Sequence, residues 1–449
     1  MRKIILSVII ITILVLSIFS IHFLVESPTL GAHVVELKLD TGDTAWMIVA
    51  SALVLLMTPG LGFFYGGMVR RKNILNTLMS SFFICGLASI MWVLIGYSLS
   101  FGNDIGGVIG GLNFALFNGV GGDPSAFAPT IPHELFAAFQ MMFAIITPAL
   151  ITGSLVGRIK FSALFVFIGA WSLLVYYPLA HMVWGGGIIG ALGAVDFAGG
   201  DVVHISSGVS GLVACIMLGK RRGYGMMSYK PHNIPFVVLG AALLWFGWFG
   251  FNAGSALNAG SLAVHAFMTT NTAAAAAMLS WMLIEKVKHG KPTVLGAATG
   301  AVVGLVAITP GAGFVPLWSS IIIGALVSPI CFFFMSVVKA KFGYDDALDA
   351  FGCHGIGGVW GGIATGLFAQ TSINSVAKWD GLFFGDVNLL IAQIEGILLT
   401  VVFAAVMTFV IIKVMKLFMD IRVDKAEEAD GLDVAEHGET AYPAFNGLD

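Results

Sequence analysis

Charge is scarce in this sequence. Only 10% of its 449 residues are Asp, Glu, Lys or Arg, against about a quarter in a soluble domain, so water is not its main solvent. Paired cysteines are missing as well. Cys85, Cys215, Cys331 and Cys353 fall in or beside apolar segments with no Cys-x-x-Cys spacing, which argues against a disulfide framework or a zinc site. No His-Glu-x-x-His pair, Gly-x-Ser-x-Gly elbow or Walker A loop occurs, so metal-assisted hydrolysis, serine hydrolysis and ATP-driven pumping have no support. No cofactor or metal is expected. A net charge of −3 offers nucleic acid no cationic surface.

What the chain has instead is apolar length. Hydrophobic residues make up 58%, mean hydropathy is +0.94, and runs of about 20 apolar residues, enough to cross a bilayer as a helix, recur throughout. The 57 glycines sit within these runs, where small residues let helices approach closely in lipid. The punctuation predicts an all-α polytopic membrane protein of eleven transmembrane helices. They fall at 43–69, 75–101, 135–156, 161–183, 202–219, 235–253, 261–285, 294–309, 316–338, 351–369 and 390–418.

Lys and Arg alternate between the connections. Arg70, Arg71 and Lys72 follow the first span, Arg158 and Lys160 the third, and Lys220, Arg221 and Arg222 the fifth. Loops 102–134, 184–201 and 254–260 hold none. Positive loops stay inside, which puts the C-terminus in the cytoplasm of a cell (plasma or inner) membrane. Three regions are expected: a signal peptide or uncleaved hydrophobic segment at 1–31, a transmembrane domain at 43–422 and a cytoplasmic tail at 423–449. Cleavage would leave the N-terminus outside.

Ionisable groups at mid-span are costly, and each is a candidate for function. His204 lies near the start of the fifth span and His354 in the tenth, each eight residues after an aspartate, Asp196 and Asp346. Five spans separate them, an odd number, so the second copy enters the membrane from the other side. That is the signature of an inverted 5+5 repeat with a site near the midplane, the eleventh helix being an addition. Asp196 either caps the fifth helix or helps attract a cation. Trp184 is either an interfacial belt residue or a ring face for a cation. Phe139 and Phe143 stand one turn apart, and Trp248-Phe-Gly-Phe251-Asn-Ala-Gly-Ser255 closes the sixth span.

At these residues the sequence resembles the ammonium transporter family (Amt/Mep/Rh), in its prokaryotic Amt form. The resemblance rests on Thr58-Pro-Gly-Leu-Gly-Phe-Phe-Tyr-Gly-Gly67, Ala180-His-Met-Val-Trp-Gly-Gly-Gly187, Asp196-Phe-Ala-Gly-Gly-Asp-Val-Val-His204, Gly247-Trp-Phe-Gly-Phe-Asn-Ala-Gly-Ser255, the segment around His354, and Gly431-Leu-Asp-Val-Ala-Glu-His-Gly-Glu-Thr-Ala-Tyr442. It implies ammonium/ammonia transport: Phe139, Trp184 and Ser255 as an outer recruitment site shaped by Asp196, Phe143 and Phe251 as a gate, and His204 and His354 as twin pore histidines. It also implies a homotrimer in the lipid bilayer with one pore per subunit, and a PII-type regulatory protein as a possible cytoplasmic partner. Asp201 stands where a neutral residue is common. An ammonium sensor signalling through its tail is the alternative function. The tail itself reads either as a flexible end or as a segment docked on the loops beside it.

Overall fold

The computed structural model describes residues 37–226 and 229–442. The predicted signal segment at 1–31 lies outside them. Helix accounts for 71% of the described residues, which include no closed sheet. In chain order the long helices are α1 (Thr41–Met68), α2 (Arg71–Phe101), α3 (His133–Leu155), α4 (Phe161–Ala191, interrupted at 185–187), α5 (Gly200–Leu218), α6 (Ile234–Ala253) and α7 (Ser261–His289). They continue as α8 (Val294–Ile308), α9 (Leu317–Phe342), α10 (351–368) and α11 (Asn388–Met415). Nine are long and apolar enough to cross a membrane by length and composition among the described residues; α8, at 15 residues, and the glycine-rich α10 are not among them. The spans expected from the sequence fall within a few residues of these helices.

Two helix pairs meet through glycine. A Cβ on Gly240 of α6 would lie 2.2 Å from the Phe64 nitrogen of α1, and one on Gly208 of α5 2.2 Å from the Gly355 nitrogen of α10. With no hydrophobic drive between helices in lipid, such backbone approach supplies the packing. Between α2 and α3, the connection that sequence reading leaves as a plain loop forms two small antiparallel hairpins. β1 (Asp104–Ile105) pairs with β2 (Ile109–Gly110), and β3 (Pro124–Ser125) with β4 (Ala128–Pro132).

At the opposite, basic end the tail is docked. Val423 donates its N–H to the Arg158 carbonyl and Lys160 to that of Ile421. Two short helices follow, α12 (Lys425–Asp430) and α13 (Leu432–His437). Their acids cap other helices: Asp433 Oδ1 accepts the Asn76 N–H near the start of α2 (2.9 Å) and Glu436 Oε2 that of Phe161 opening α4 (3.0 Å). Carboxylates suit these positions, where helix amides lack partners and the dipole is positive. Glu428, 2% exposed, binds Arg422 and the Arg222 N–H. Of the two readings of the tail, the docked one describes residues 423–442.

Arg158, fully buried, organises this end. Its guanidinium donates to the carbonyls of Gly219 (2.8 Å), Ser154 (3.1 Å) and Asp345 (2.5 Å). Burial pushes the Asp345 carboxyl up, but the hydrogen bonds and charge of Arg221, with Arg158 beside it, outweigh this and hold it below its ordinary value. Arg158→Gln leaves buried carbonyls and a carboxylate short of a cation. A loss of about 3 kcal/mol is expected, read as a lower midpoint in thermal unfolding of the detergent-solubilised protein.

Candidate functional site

The site begins with two aspartates that wind two helices. Asp196, in the turn after α4, accepts four backbone N–H groups: Gly199 (2.8 Å) and Gly200 (2.6 Å) on Oδ1, Asp201 (2.8 Å) and Val202 (3.3 Å) on Oδ2. The first turn it caps, Gly200–Ile205, is a wide π turn carrying His204. Asp346 repeats the device. It accepts the N–H groups of Ala350 (3.2 Å) and Phe351 (2.8 Å) and the Ser154 hydroxyl (2.7 Å), ahead of a second π turn, Phe351–Gly355, carrying His354. A third π turn, Phe249–Ala253, holds Phe251. Such turns are rare and concentrate at functional sites.

Glycines then bring the histidines together. Gly208 lies four residues after His204 and sits on the Gly355 backbone; Gly358 lies four residues after His354, where a Cβ would be 2.9 Å from Ile205 and 3.2 Å from the His204 Cβ. The two rings stack at 5.3 Å and 19°. Both nitrogens of His204 and Nδ1 of His354 are buried with no protein hydrogen-bond partner. They border a narrow cavity lined otherwise by Met57, Leu61, Phe64, Ile146, Leu150, Val203, Leu244, Trp248, Phe251 and Val302. About 10 Å³ of it can hold the centre of a water-sized molecule, which is room for roughly one. Buried polar atoms ordinarily have partners, so bare imidazole nitrogens in an apolar slot mark a place for a small hydrogen-bonding solute.

Aromatic rings close the end of the slot away from the basic loops. Phe251 lies over His204 (6.1 Å, 25°) and meets Phe143 at 4.3 Å. Trp184, partly buried, stands edge-on to Phe143 at 5.9 Å, its indole N–H bonded to the Asp196 carbonyl (2.9 Å). The Ser255 hydroxyl donates to the Phe251 carbonyl (2.9 Å), leaving its lone pairs available. Phe139 is fully buried behind Phe143 (5.1 Å), against Gly254, rather than open beside Trp184. Of the two roles open to Asp196, the geometry is that of a cap. Asp201, 5% exposed, lies against Gly396 of α11.

Trp248 was not singled out by sequence reading. It stacks on His204 (5.4 Å, 24°), meets Phe251 at a tilt (5.4 Å, 48°), and its N–H binds the Thr309 hydroxyl of α8 (2.9 Å). Its spacing of three from Phe251, one turn on the same helix face, is the available signal. Gln393 of α11 also escaped notice. Its amide accepts the Val195 N–H (2.7 Å) and donates to the Val195 carbonyl (3.0 Å), clamping the residue before Asp196.

A bundle of membrane helices around a narrow apolar slot with unpartnered imidazoles defines a polytopic membrane transport protein. The sequence profile described as Ammonium Transporter Family matches residues 45–442. The chain is 56% identical to the ammonium transporter of Bacillus subtilis (strain 168), over 90% of this chain and 99% of that one. It is 46% identical to ammonium transporter Amt1 of Archaeoglobus fulgidus, over 90% and 100%. The crystal structure of Saccharomyces cerevisiae Mep2 superposes with a TM-score of 0.81 at 37% identity, over 87% of this chain and 89% of that one. The chain belongs to the ammonium transporter family, and its substrate is ammonium/ammonia.

The crossing of α5 and α10 yields a structural test. In Gly208→Ala the new methyl meets backbone, which cannot move aside as a side chain can. A loss of about 1–3 kcal/mol is expected, seen in thermal unfolding together with reduced methylammonium uptake in proteoliposomes.

Proposed function

We propose that the chain conducts ammonium/ammonia across the cell membrane through the slot lined by His204 and His354. The observation that carries this reading is the stacked, unpartnered imidazole pair directly beneath the Phe143–Phe251 contact. Ammonium and potassium are similar in size, so radius alone does not separate them. Ammonium donates hydrogen bonds and can give up a proton, and potassium does neither. At the outer end, Trp184 offers its ring face and Ser255 a hydroxyl acceptor in place of water. Asp196 acts as a positioning residue here, its carbonyl holding the indole N–H and its carboxylate the turn. Phe139 backs the gate ring.

Phe143 and Phe251 form an apolar constriction that disfavours hydrated ions. Below it, an imidazole can present a donor and an acceptor to a small polar solute. A potassium ion, with no proton to release, meets the full cost of the dry segment.

The same proposal carries the architecture. We read α8 and α10 as completing eleven spans, with α1–α5 and α6–α10 as inverted halves and α11 outside them. The glycine contacts of α1 with α6 and of α5 with α10, and the matched Asp–His turns, support it. The basic loops and docked tail are then cytoplasmic. They form the face on which a PII-type protein would sit, in a homotrimer with one path per subunit.

Two measurements test the path. In proteoliposomes, methylammonium uptake should collapse or lose selectivity over potassium in His204→Ala and in His354→Ala; unaltered transport and selectivity would sink the twin-histidine reading. Trp184→Leu should raise the half-saturating concentration about two- to thirtyfold, the range a cation–π contact supplies. No change there would leave Trp184 as a belt residue.

A further inference from the structure

At the basic end a cavity of about 530 Å³ lies between the α1–α2 connection and the docked tail, within the size range of small-molecule sites. Arg70, Arg71 and Lys72 line it from the connection, and Asp430, Asp433 and Tyr442 from the tail. Among the described residues none of the three cations is paired with a carboxylate. The Arg70 guanidinium donates to the Glu428 carbonyl (3.0 Å), and Lys72 Nζ to that of Ala429. Arg71 lies over the Tyr442 ring (5.4 Å), whose hydroxyl is bonded to His232 (3.2 Å). The three charges are thus held in place without being neutralised.

The acidic side of the cavity is incomplete as well. Asp433 is 2% exposed; its Oδ1 accepts the Asn76 N–H, while its Oδ2 is buried with no hydrogen-bond partner among the described residues. Buried polar atoms ordinarily have partners, so an acceptor left bare on a cavity wall calls for a donor from whatever fills the cavity. Three fixed cations nearby repel a bare metal ion. A donor carried on a molecule that also brings carboxylates satisfies both sides, because charge-assisted bonds to guanidinium and ammonium groups are the strong ones. Cations outnumber acidic residues in the lining three to two, so the complementary solute has more carboxylates than ammonium groups. We propose that this cavity binds an acidic amino acid, with its carboxylates on the Arg70–Lys72 cations and its ammonium on Asp433 Oδ2.

The rim suits a solute that arrives from water. Arg71, Lys72, Asp430 and Thr440 are exposed, and the Thr440 hydroxyl is a further donor for a carboxylate. Val434, 54% exposed, offers apolar surface to the methylenes between the charges. Occupancy also bears on the tail. Gly431 already sits on Lys72, where a Cβ would lie 2.6 Å from the Lys72 carbonyl oxygen, and Asp433 holds the start of α2. A solute bonded to both sides therefore clasps the tail to the α1–α2 connection.

Calorimetric titration of L-glutamate into the full chain in phosphatidylcholine nanodiscs tests the site. Saturable binding to one site per chain is expected, with slower hydrogen–deuterium exchange across 425–442. Arg71→Gln, a change on an exposed side chain, should weaken binding about ten- to a hundredfold, the factor a hydrogen bond to a charged group supplies. Glutarate has both carboxylates but no ammonium, and should bind more weakly than glutamate by a similar factor. Asp433→Asn should erase that preference, since its amide oxygen still takes the Asn76 N–H. If this variant fails to fold, the ratio of glutamate to glutarate affinity in the native chain decides the ammonium contact.

No saturable binding, or glutarate held as tightly as glutamate, overturns the proposal. Binding that Arg71→Gln leaves in place puts glutamate elsewhere and overturns it too. Inorganic phosphate that displaces glutamate at equal concentration makes the three cations a general anion patch, with the same result. In the last arm, part of the phosphatidylcholine is replaced by phosphatidylglycerol. Glutamate affinity should hold there; its loss assigns the cations to a lipid headgroup and removes the amino-acid site.

Discussion

The histidine slot depends on two helices touching backbone to backbone. Where α5 crosses α10, Gly208 rests on the peptide of Gly355, and Gly358 rests beside His204. Any side chain at these points would hold the helix axes apart, and the imidazoles, carried one turn away on each helix, would no longer stack at 5.3 Å. In lipid this contact gains nothing from expelling water. Its strength is close packing, which small residues alone permit.

Given that contact, the rings must also point inward, and the wide turns do this. An extra residue in the first turn of α5, and again of α10, resets the direction in which His204 and His354 leave the backbone. Such a turn strands amides at the helix start, and a buried unpaired amide in a membrane is expensive. Asp196 and Asp346 satisfy them. Each aspartate is thus part of the cost of aiming a histidine, and the eight-residue spacing is the distance from the cap to the aimed ring. Trp248, braced by Thr309, supplies a flat wall against which the outer ring is seated.

Much of this was legible in the sequence. Helix positions follow from bilayer thickness and loop charge, two constraints written in composition. Even short α8 and glycine-rich α10 were expected as helices, because the alternation of Lys and Arg asks for an apolar element there. The Asp–His pairs were visible as spacing, though spacing alone left Asp196 between capping and cation attraction. The wide turns left no residue pattern to read, since i→i+5 bonding needs no special side chain. Glu428, Asp433 and Glu436 look like solvated charges of a loose tail; their partners are nearby Arg422 and backbone N–H groups hundreds of residues away. The resemblance put Phe139 in the outer site beside Trp184; its packing against Phe143 and Gly254 is a tertiary contact that spacing does not display.

The two aspartate turns are alike, but what steadies them is not. Asp346 is braced by Ser154 from α3, a helix inside the proposed inverted halves. The turn of Asp196 is braced at Val195 by Gln393 from α11, the helix that the proposed halves leave without a counterpart. A strictly two-fold molecule would present the same mouth to both sides of the bilayer and could not be tuned at one without altering the other. An unpaired helix that braces only one of the two aspartate turns breaks that equivalence. On the proposed architecture, it gives a path built from inverted halves a front and a back.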